Sequence, residues 1–364
     1  ALAPRCAVIG TLGAGFPGRL AETGFTTPEA TTLMRLLAGF AADGATACAL
    51  EASSIGIEEG RLNGARVDVA VFTNFTRDHL DYHGSMEAYA AAKEKLFAWP
   101  GLRTAVVNLD DLAGARIAAR TTARRVIGYG IEQGEVRAEG LAATASGQRF
   151  ELVLPDGRVE VVTPLLGRYN VSNLLAVAAV LHDAGCAAAE VARRLAALAA
   201  PPGRMECVGG NGEPLVVVDY AHTPDALANV LVTLRGLAEA RGGKLWALFG
   251  CGGDRDPGKR PEMGAVAARL ADRVVVTSDN PRGEDPGRII AAILAGAPGA
   301  AAEADRAQAI ACAVAEADAR DVILLAGKGH EAYQEAAGVR TPFSDLEQAR
   351  LALGARRATR REVA

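Results

Sequence analysis

The chain has 364 residues, half of them apolar and 23% charged, with a formal net charge of −4. That length predicts two domains with sizeable cores, and the charge balance argues against nucleic acid or an acidic membrane surface as a partner. No apolar run is long enough for a membrane helix and no signal peptide is recognisable. The six scattered cysteines, without CxxC spacing, read as reduced, buried thiols of a cytoplasmic protein.

Taken in order, Cys6–Gly10 reads as a strand entering a glycine-rich loop. Thr26-Thr27-Pro28-Glu29 predicts a helix start, with a threonine cap, proline at the first helical position and an acid in the first turn. The helix is expected to run to about Asp43. Residues 45–51, 68–74 and 104–108 read as further strands, and 85–99 as a helix. Strand–helix alternation of this kind predicts a parallel, doubly wound sheet. Residues 124–163 differ. Runs around Phe150 and Val161, joined through Pro155-Asp156-Gly157, predict a β-hairpin and hence a small antiparallel insert. Residues 169–184 and 187–199 are expected to be helices closing the domain, and Pro201-Pro202-Gly203 a linker. The expected domains are therefore 1–202 and 203–364. Residues 215–219, 244–249, 273–277 and 321–325 predict a second parallel sheet, each strand ending in a polar or glycine-rich loop. The fold class is α/β: two doubly wound, mostly parallel sheet domains, the first with a small antiparallel β insert, the second Rossmann-like. The basic tail around Arg356, Arg357, Arg360 and Arg361 reads as a frayed, solvated terminus.

Ligands of open α/β sheets bind beyond the carboxyl ends of the strands, so Arg282 in Asp279-Asn280-Pro281-Arg282 stands where an anionic group can dock. An ordinary strand-ending turn is the competing reading. The loop from Gly250 to Arg255 is not a dinucleotide fingerprint, since it has arginine where the last glycine belongs and follows a middle strand. Gly327-Lys328-Gly329 lacks the upstream glycine and following Ser/Thr of a phosphate loop, and GxxxxGK[ST] is absent from the sequence. Glu51 and His79 follow strands and are expected at one edge of the first sheet. With Lys93 they read either as a partial magnesium site or as a solvated loop and a surface helix. His83 and His182 read as loop-surface and helix-end residues.

These motifs jointly resemble the Mur ligases. The likeness rests on Thr26-Thr27-Pro28, Glu51-Ala52-Ser53-Ser54, the run Thr73 to Gly84 with Asp78, His79 and His83, Ala92-Lys93, Tyr169-Asn170 with Asn173, and Gly203-Arg204-Met205-Glu206. It continues through Asp219-Tyr220-Ala221-His222, Gly250 to Arg255, Asp279 to Arg282 and Gly327 to Glu331. It covers essentially the whole chain in family order. It implies ATP-dependent ligation of an amino acid to a UDP-linked muramoyl dipeptide through an acyl phosphate, in cell-wall synthesis. It also implies magnesium at Glu51, His79 and a carbamylated Lys93, with Lys93 and Arg204 as catalytic residues. Asn173, Arg204, Asp219 and His222 are implied at the nucleotide, and Thr26, Thr27, Ser53, Glu59 and Arg61 at the muramoyl dipeptide. Arg255, Asp279, Asn280, Pro281, Arg282, Gly327 and Glu331 are implied at the incoming amino acid. Arg282 marks the branch that adds meso-2,6-diaminopimelate rather than lysine, because the second carboxylate of diaminopimelate can pair with the arginine. Two departures touch the dipeptide contacts: Ile55 stands where the family has histidine, and Glu59 where it commonly has glutamine. The resemblance places the family's phosphate loop and uridine-binding domain upstream of Ala1. It therefore implies that this chain alone is inactive and that its central sheet has an unpaired edge. The competing functions are an L-lysine or folate-type ligase and a non-catalytic binding protein. A monomer acting on small molecules is expected.

Overall fold

The structure, a computed structural model, describes residues 5–76, 79–144 and 147–363, with only the backbone described at 80, 81 and 360–363. Arg77 and Asp78 of the expected polar loop therefore lie outside the described residues. The chain forms two compact units. The first comprises Ala1–Gly140, Phe150–Val161 and Val171–Ala196, and the second Leu141–Arg149, Val162–Asn170 and Ala197–Ala364.

The first strands are β1 (Cys6–Gly10), β2 (Gly13–Phe16), β3 (Arg19–Ala21) and β4 (Ala47–Leu50), in the spatial order β3-β2-β1-β4. Only β1 and β4 run parallel; β2 and β3 form an antiparallel meander. A second sheet holds β5 (Val69–Phe72), β6 (Thr104–Asn108), β7 (Arg125–Gly130), β8 (Val136–Thr144), β9 (Gly147–Leu154) and β10 (Gly157–Thr163), in the order β10-β9-β8-β7-β6-β5. Two expectations change here. The expected continuous first sheet is split, with β4 and β5 each at an edge of its own sheet. The expected antiparallel insert begins with parallel strands: β7 pairs parallel with β6, and β8 parallel with β7, so the hairpin β9–β10 extends the main sheet.

The helix Ala30–Ala42 begins after Glu29 and has no side-chain cap, so the predicted threonine cap is absent. Thr27 is fully buried and its hydroxyl is used elsewhere, as described below. Ser85 caps the helix Met86–Glu94, which tightens into a 3-10 turn over Lys95–Ala98.

The second unit carries β11 (Glu206–Gly209), β12 (Leu215–Asp219), β13 (Leu245–Phe249), β14 (Arg273–Val276), β15 (Ala301–Ala302) and β16 (Val322–Ala326), in the order β11-β12-β16-β13-β14-β15. All pairings are parallel except β11–β12. The central strands are buried along their whole length, as expected for a sheet covered on both faces. Helices Pro224–Arg241, Lys259–Leu270 and Pro286–Leu294 pack on one face. Helices Arg306–Glu316 and Asp345–Val363 pack on the other. Thr223 caps the first of these with Pro224 behind it, and Gly242 ends it at φ 68°. A separate hairpin, β17 (Tyr333–Ala336) with β18 (Val339–Pro342), follows β16.

The basic tail is not frayed. It continues the last helix to Val363. Arg356 donates to the Ala315 carbonyl at 2.9 Å, at the end of a neighbouring helix where carbonyls lack intrahelical partners, and Arg357 pairs with Glu213 at 3.0 Å. Of the cysteines only Cys251 is buried; Cys207 and Cys312 are exposed and the rest half-buried, which corrects the expectation of buried thiols. Among the described residues no helix is long and apolar enough to cross a membrane.

Candidate active site

In the first unit, the residues expected at the muramoyl dipeptide converge around the end of β4. Thr27 Oγ1 donates to the Glu51 carbonyl at 2.7 Å, lies 3.1 Å from Ser53 Oγ, and accepts from Ser53 N at 2.9 Å. Ser53 Oγ then caps the short helix Ser54–Glu58 by accepting from Gly56 N at 3.0 Å. Arg61 donates to the Thr27 carbonyl at 3.1 Å, binds Glu59 Oε2 at 2.7 Å through Nε, and packs over the Phe25 ring at 4.3 Å. Glu59 thus holds Arg61, a contact that glutamine would make without charge. Ile55 lies half-buried in the Ser54–Glu58 helix.

Thr11, which sequence reasoning missed, ties this group to Glu51. Its Oγ1 donates to Glu51 Oε2 at 2.9 Å and lies 3.1 Å from Thr26 Oγ1, while its N–H reaches Glu51 Oε1 at 3.3 Å. The available signal was its place directly after β1. Gly10 beside it leaves room for that carboxylate, since a Cβ there would lie 2.3 Å from Glu51 Oε1 and push the side chain aside.

Tyr89 organises the remaining first-unit residues. His83 stacks on its ring at 5.2 Å, His79 meets it edge-on at 5.8 Å, and Lys93 Nζ lies 5.0 Å from its centroid. His79 sits at φ 52°, in the left-handed region where a histidine is uncommon. His83 is no simple surface residue: Nε2 lies 2.9 Å from Ser54 Oγ, and the ring lines a cavity of about 310 Å³ with Glu58, Tyr82 and Lys95. His182, at its helix end, lies 3.6 Å from Asp156 Oδ1. Glu51 and His79 follow strands of two different hydrogen-bonded sheets, not one edge as expected, and the His83–Ser54 contact links the two neighbourhoods. Asn173 is exposed on the helix Arg168–Asp183.

In the second unit the strand ends are in register. Asp219 pairs with Ala326, Ala326 with Phe249, and Phe249 with Val276, so the four loops that follow share one edge of the sheet. The return from β15 to β16, inserted between β12 and β13, makes this edge a topological switch point.

Asp219 accepts from Met205 N at 2.9 Å and Ala221 N at 2.8 Å, and burial pushes its carboxyl above the ordinary range despite these donors. Exposed Arg204 lies over the Tyr220 ring at 5.0 Å. His222 meets the same ring at 4.7 Å, with Nδ1 2.8 Å from the Tyr220 carbonyl.

Across the same edge lies the loop Asp279-Asn280-Pro281-Arg282. Asn280 Nδ2 donates to Glu331 Oε2 at 2.8 Å, and Asn280 Oδ1 accepts from Glu335 N at 3.0 Å. Burial raises the Asp279 carboxyl, while Arg306 and Lys328 pull it the other way. Arg282 sits at φ 50°, a strained position for a non-glycine residue. It is held there by backbone bonds to the hairpin: its N–H donates to the Glu335 carbonyl at 3.0 Å, and its carbonyl accepts from Ala337 N at 2.6 Å. Its guanidinium donates to the Gly253 carbonyl at 2.9 Å, and no carboxylate among the described residues pairs with it. Arg255 is exposed, with a long contact of 3.4 Å to the Asp254 carbonyl. Gly327, at φ 110°, abuts Asp279: a Cβ there would lie 2.6 Å from Oδ2. Arg306, also missed, is fully buried against Asp345 and donates to the Ser278 carbonyl at 3.2 Å and the Ala326 carbonyl at 2.9 Å. It thereby braces the ends of the two strands that carry the loops 279–282 and 327–331.

Comparison with known proteins identifies the family of the chain. The family description "Mur ligase middle domain" matches residues 1–181, and "Mur ligase, glutamate ligase domain" matches residues 203–329. A UDP-N-acetylmuramoyl-L-alanyl-D-glutamate–2,6-diaminopimelate ligase of Acidovorax sp. strain JS42 is 54% identical over 357 residues, covering 96% of this chain and 71% of that protein. The protein of the same name from Pseudomonas aeruginosa is 52% identical, covering 97% and 73%. A solved structure bearing that name superposes with a TM-score of 0.78 at 43% identity, over 97% of this chain and 73% of the other. Mycobacterium tuberculosis folylpolyglutamate synthase complexed with ADP shares the fold, at TM-score 0.66 and 20% identity, over 89% of this chain and 81% of that one. The chain belongs to the Mur ligase family.

Proposed function

We propose that the protein joins meso-2,6-diaminopimelate to UDP-N-acetylmuramoyl-L-alanyl-D-glutamate at the cost of ATP, in peptidoglycan synthesis. The observation that carries this reading is Arg282, an arginine without an acidic partner among the described residues, held in a strained backbone position at the switch-point edge. The high-identity relatives that bear this activity in their names support it.

In this reading a D-glutamate carboxylate oxygen attacks the γ-phosphorus of ATP, and ADP leaves. The amine of the incoming residue attacks the acyl phosphate carbon, an amide bond forms, and inorganic phosphate departs with the former carboxylate oxygen. Thr26, Thr27, Ser53 and Arg61 hold the dipeptide, with Glu59 fixing Arg61. Exposed Arg204 stabilises charge on the transferring group, and Asn173, Asp219 and His222 bind the nucleotide.

Among the described residues no three His, Cys, Asp or Glu side chains are grouped so as to hold a metal ion, so a magnesium site here would rest on Glu51 and His79 together with a carbamylated Lys93. Glu51 is an exposed carboxylate with room made by Gly10, His79 offers an imidazole, and Lys93, as a carbamate, would offer two oxygens. When bound, magnesium neutralises charge on the phosphoryl oxygens. At the second-unit edge, Arg282 and Arg255 receive the distal carboxylate of diaminopimelate, and Asp279 and Glu331 receive its ammonium; Asn280, whose oxygen is taken by Lys328 and Glu335 N, offers its free amide N–H to a carboxylate, and Pro281 and Gly327 shape the pocket. Lysine lacks that carboxylate and leaves Arg282 without an anionic partner, a discrimination of about 1–3 kcal/mol. The partners are these small molecules, a monomer suffices, and the cytoplasm supplies ATP and the nucleotide-linked substrate.

The mechanism is tested with dipeptide whose D-glutamate carboxylate carries oxygen-18, given to the complete reading-frame product with ATP, magnesium and diaminopimelate. The expected result is one labelled oxygen in each phosphate released. Unlabelled phosphate accompanied by tripeptide formation would rule out the acyl phosphate.

A further inference from the structure

Lys328 is fully buried at the end of β16, in the loop that supplies Gly327 and Glu331. Its ammonium donates to Asn280 Oδ1 at 3.0 Å and Glu331 Oε2 at 3.1 Å, and stands 3.9 Å from Asp279 Oδ1. The rings of Tyr333 and Phe343 lie 5.8 and 6.0 Å from it. A buried ammonium is costly unless paired and hydrogen-bonded, and here its polar partners, Asn280, Glu331 and Asp279, are all residues of the proposed amino-acid pocket.

Lysine can only donate, so Lys328 decides how its neighbours are oriented. Asn280 must turn its carbonyl oxygen inward, where Glu335 N donates to it as well. Its amide nitrogen must then face Glu331 Oε2. Asn280 Oδ1 and Glu331 Oε2 are both occupied. What remains for a ligand is the second amide N–H of Asn280, Glu331 Oε1 and the guanidinium of Arg282, which bonds the Gly253 carbonyl but has no carboxylate partner among the described residues. That is an acceptor for an ammonium beside donors for a carboxylate, the pattern of an amino-acid head group. Lys328 also offsets one of the two negative charges of Asp279 and Glu331. Without it the excess negative charge would repel a ligand carboxylate and still attract an ammonium.

We propose that Lys328 is a positioning residue that sets both the donor pattern and the charge of the pocket, and so its preference for an amine substrate with a distal carboxylate. The proposal rests on the reading of this edge as the diaminopimelate site.

The test is steady-state kinetics of Lys328→Met and Lys328→Gln in the complete reading-frame product. KM is measured for meso-diaminopimelate, L-lysine and ATP, and thermal unfolding is measured in parallel. In the methionine variant KM for diaminopimelate should rise about tenfold or more, with kcat and KM for ATP within about twofold. The ratio of kcat/KM for diaminopimelate over lysine should fall. Glutamine keeps a donor without the charge and should lie between the methionine variant and wild type. An unchanged KM for diaminopimelate, or equal losses for ATP and the amino acid, would overturn the proposal. Failure of the glutamine variant to fold would also overturn it, by making Lys328 a residue of the fold rather than of the pocket. If the wild type does not use diaminopimelate, the substrate reading fails separately, and KM for the amine that it does use still reads the positioning role.

Discussion

Two glycines at the same sheet edge separate a structural from a functional consequence of one added methyl group. At Gly327 the backbone has φ 110°, and a Cβ would lie 2.6 Å from Asp279 Oδ2. Asp279 is buried, with Oδ1 3.9 Å from Lys328 Nζ, so it cannot swing away freely. A non-glycine residue in such a backbone region costs about 1–3 kcal/mol, and the clash adds about 1 kcal/mol or more. Gly327→Ala should therefore destabilise the second unit by about 2–4 kcal/mol. At Gly252 no positive φ is required, and the added Cβ would meet Arg282 Nη1 at 2.7 Å, the far end of a flexible side chain. Gly252→Ala should cost less than about 0.5 kcal/mol of stability, because the guanidinium can move aside. It should nevertheless raise KM for diaminopimelate by about tenfold, since that move takes the arginine off its bond to the Gly253 carbonyl. Urea unfolding of this chain gives the stabilities, and amino-acid-dependent phosphate release by the complete reading-frame product gives KM. A stable Gly327→Ala, or a Gly252→Ala with unchanged KM for diaminopimelate, would refute the reasoning.

Arg306→Ala removes the fully buried partner of Asp345 and two bonds to strand-end carbonyls, and should cost about 3–5 kcal/mol in urea unfolding. The double change to Met at Arg306 and Leu at Asp345 should recover a large part of it. Because the Asp219 carboxyl is raised in the fold, its stabilising share is present in full below the ordinary value of 3.8 and is lost as pH rises through the raised one. The stability advantage of wild type over Asp219→Asn should therefore widen as pH is lowered from 7.5 toward 4, as read by urea titrations at each pH. The Cys251 thiol is pushed up to about 11 by burial, so about one part in a thousand is thiolate at pH 8. Exposed Cys312 should alkylate quickly in the native protein, and Cys251 only on unfolding.

The loop-bearing edge of the second unit is legible in the sequence because each strand there is a short apolar run stopped by glycine or a polar residue. Periodicity and turn chemistry find such runs without any tertiary information. The role of Thr27 was misread for a physical reason. Thr-Pro-Glu is good helix-start chemistry, but the hydroxyl gains more by fixing Glu51 and Ser53 across a sequence gap that no local rule spans. Arg306 and Lys328 were missed because a buried cation looks like a surface one in sequence; only the fold brings Asp345 or Asn280 to it. The hairpin β17–β18 was missed because its exposed residues carry little alternation, yet it holds Arg282 in place. The split of the first sheet was not legible either: β4 and β5 both read as ordinary strands, and which strands share a ladder is decided by packing.

The most direct test of the central claim is phosphate release by the complete reading-frame product with ATP, magnesium and the UDP-linked muramoyl dipeptide. Meso-diaminopimelate is compared with L-lysine, in wild type and Arg282→Ala. The account predicts a strong preference for diaminopimelate that falls by about ten- to a hundredfold in the variant, while the weak use of lysine stays unchanged. Equal use of lysine by the wild type, or an Arg282→Ala enzyme that keeps its preference, would contradict it.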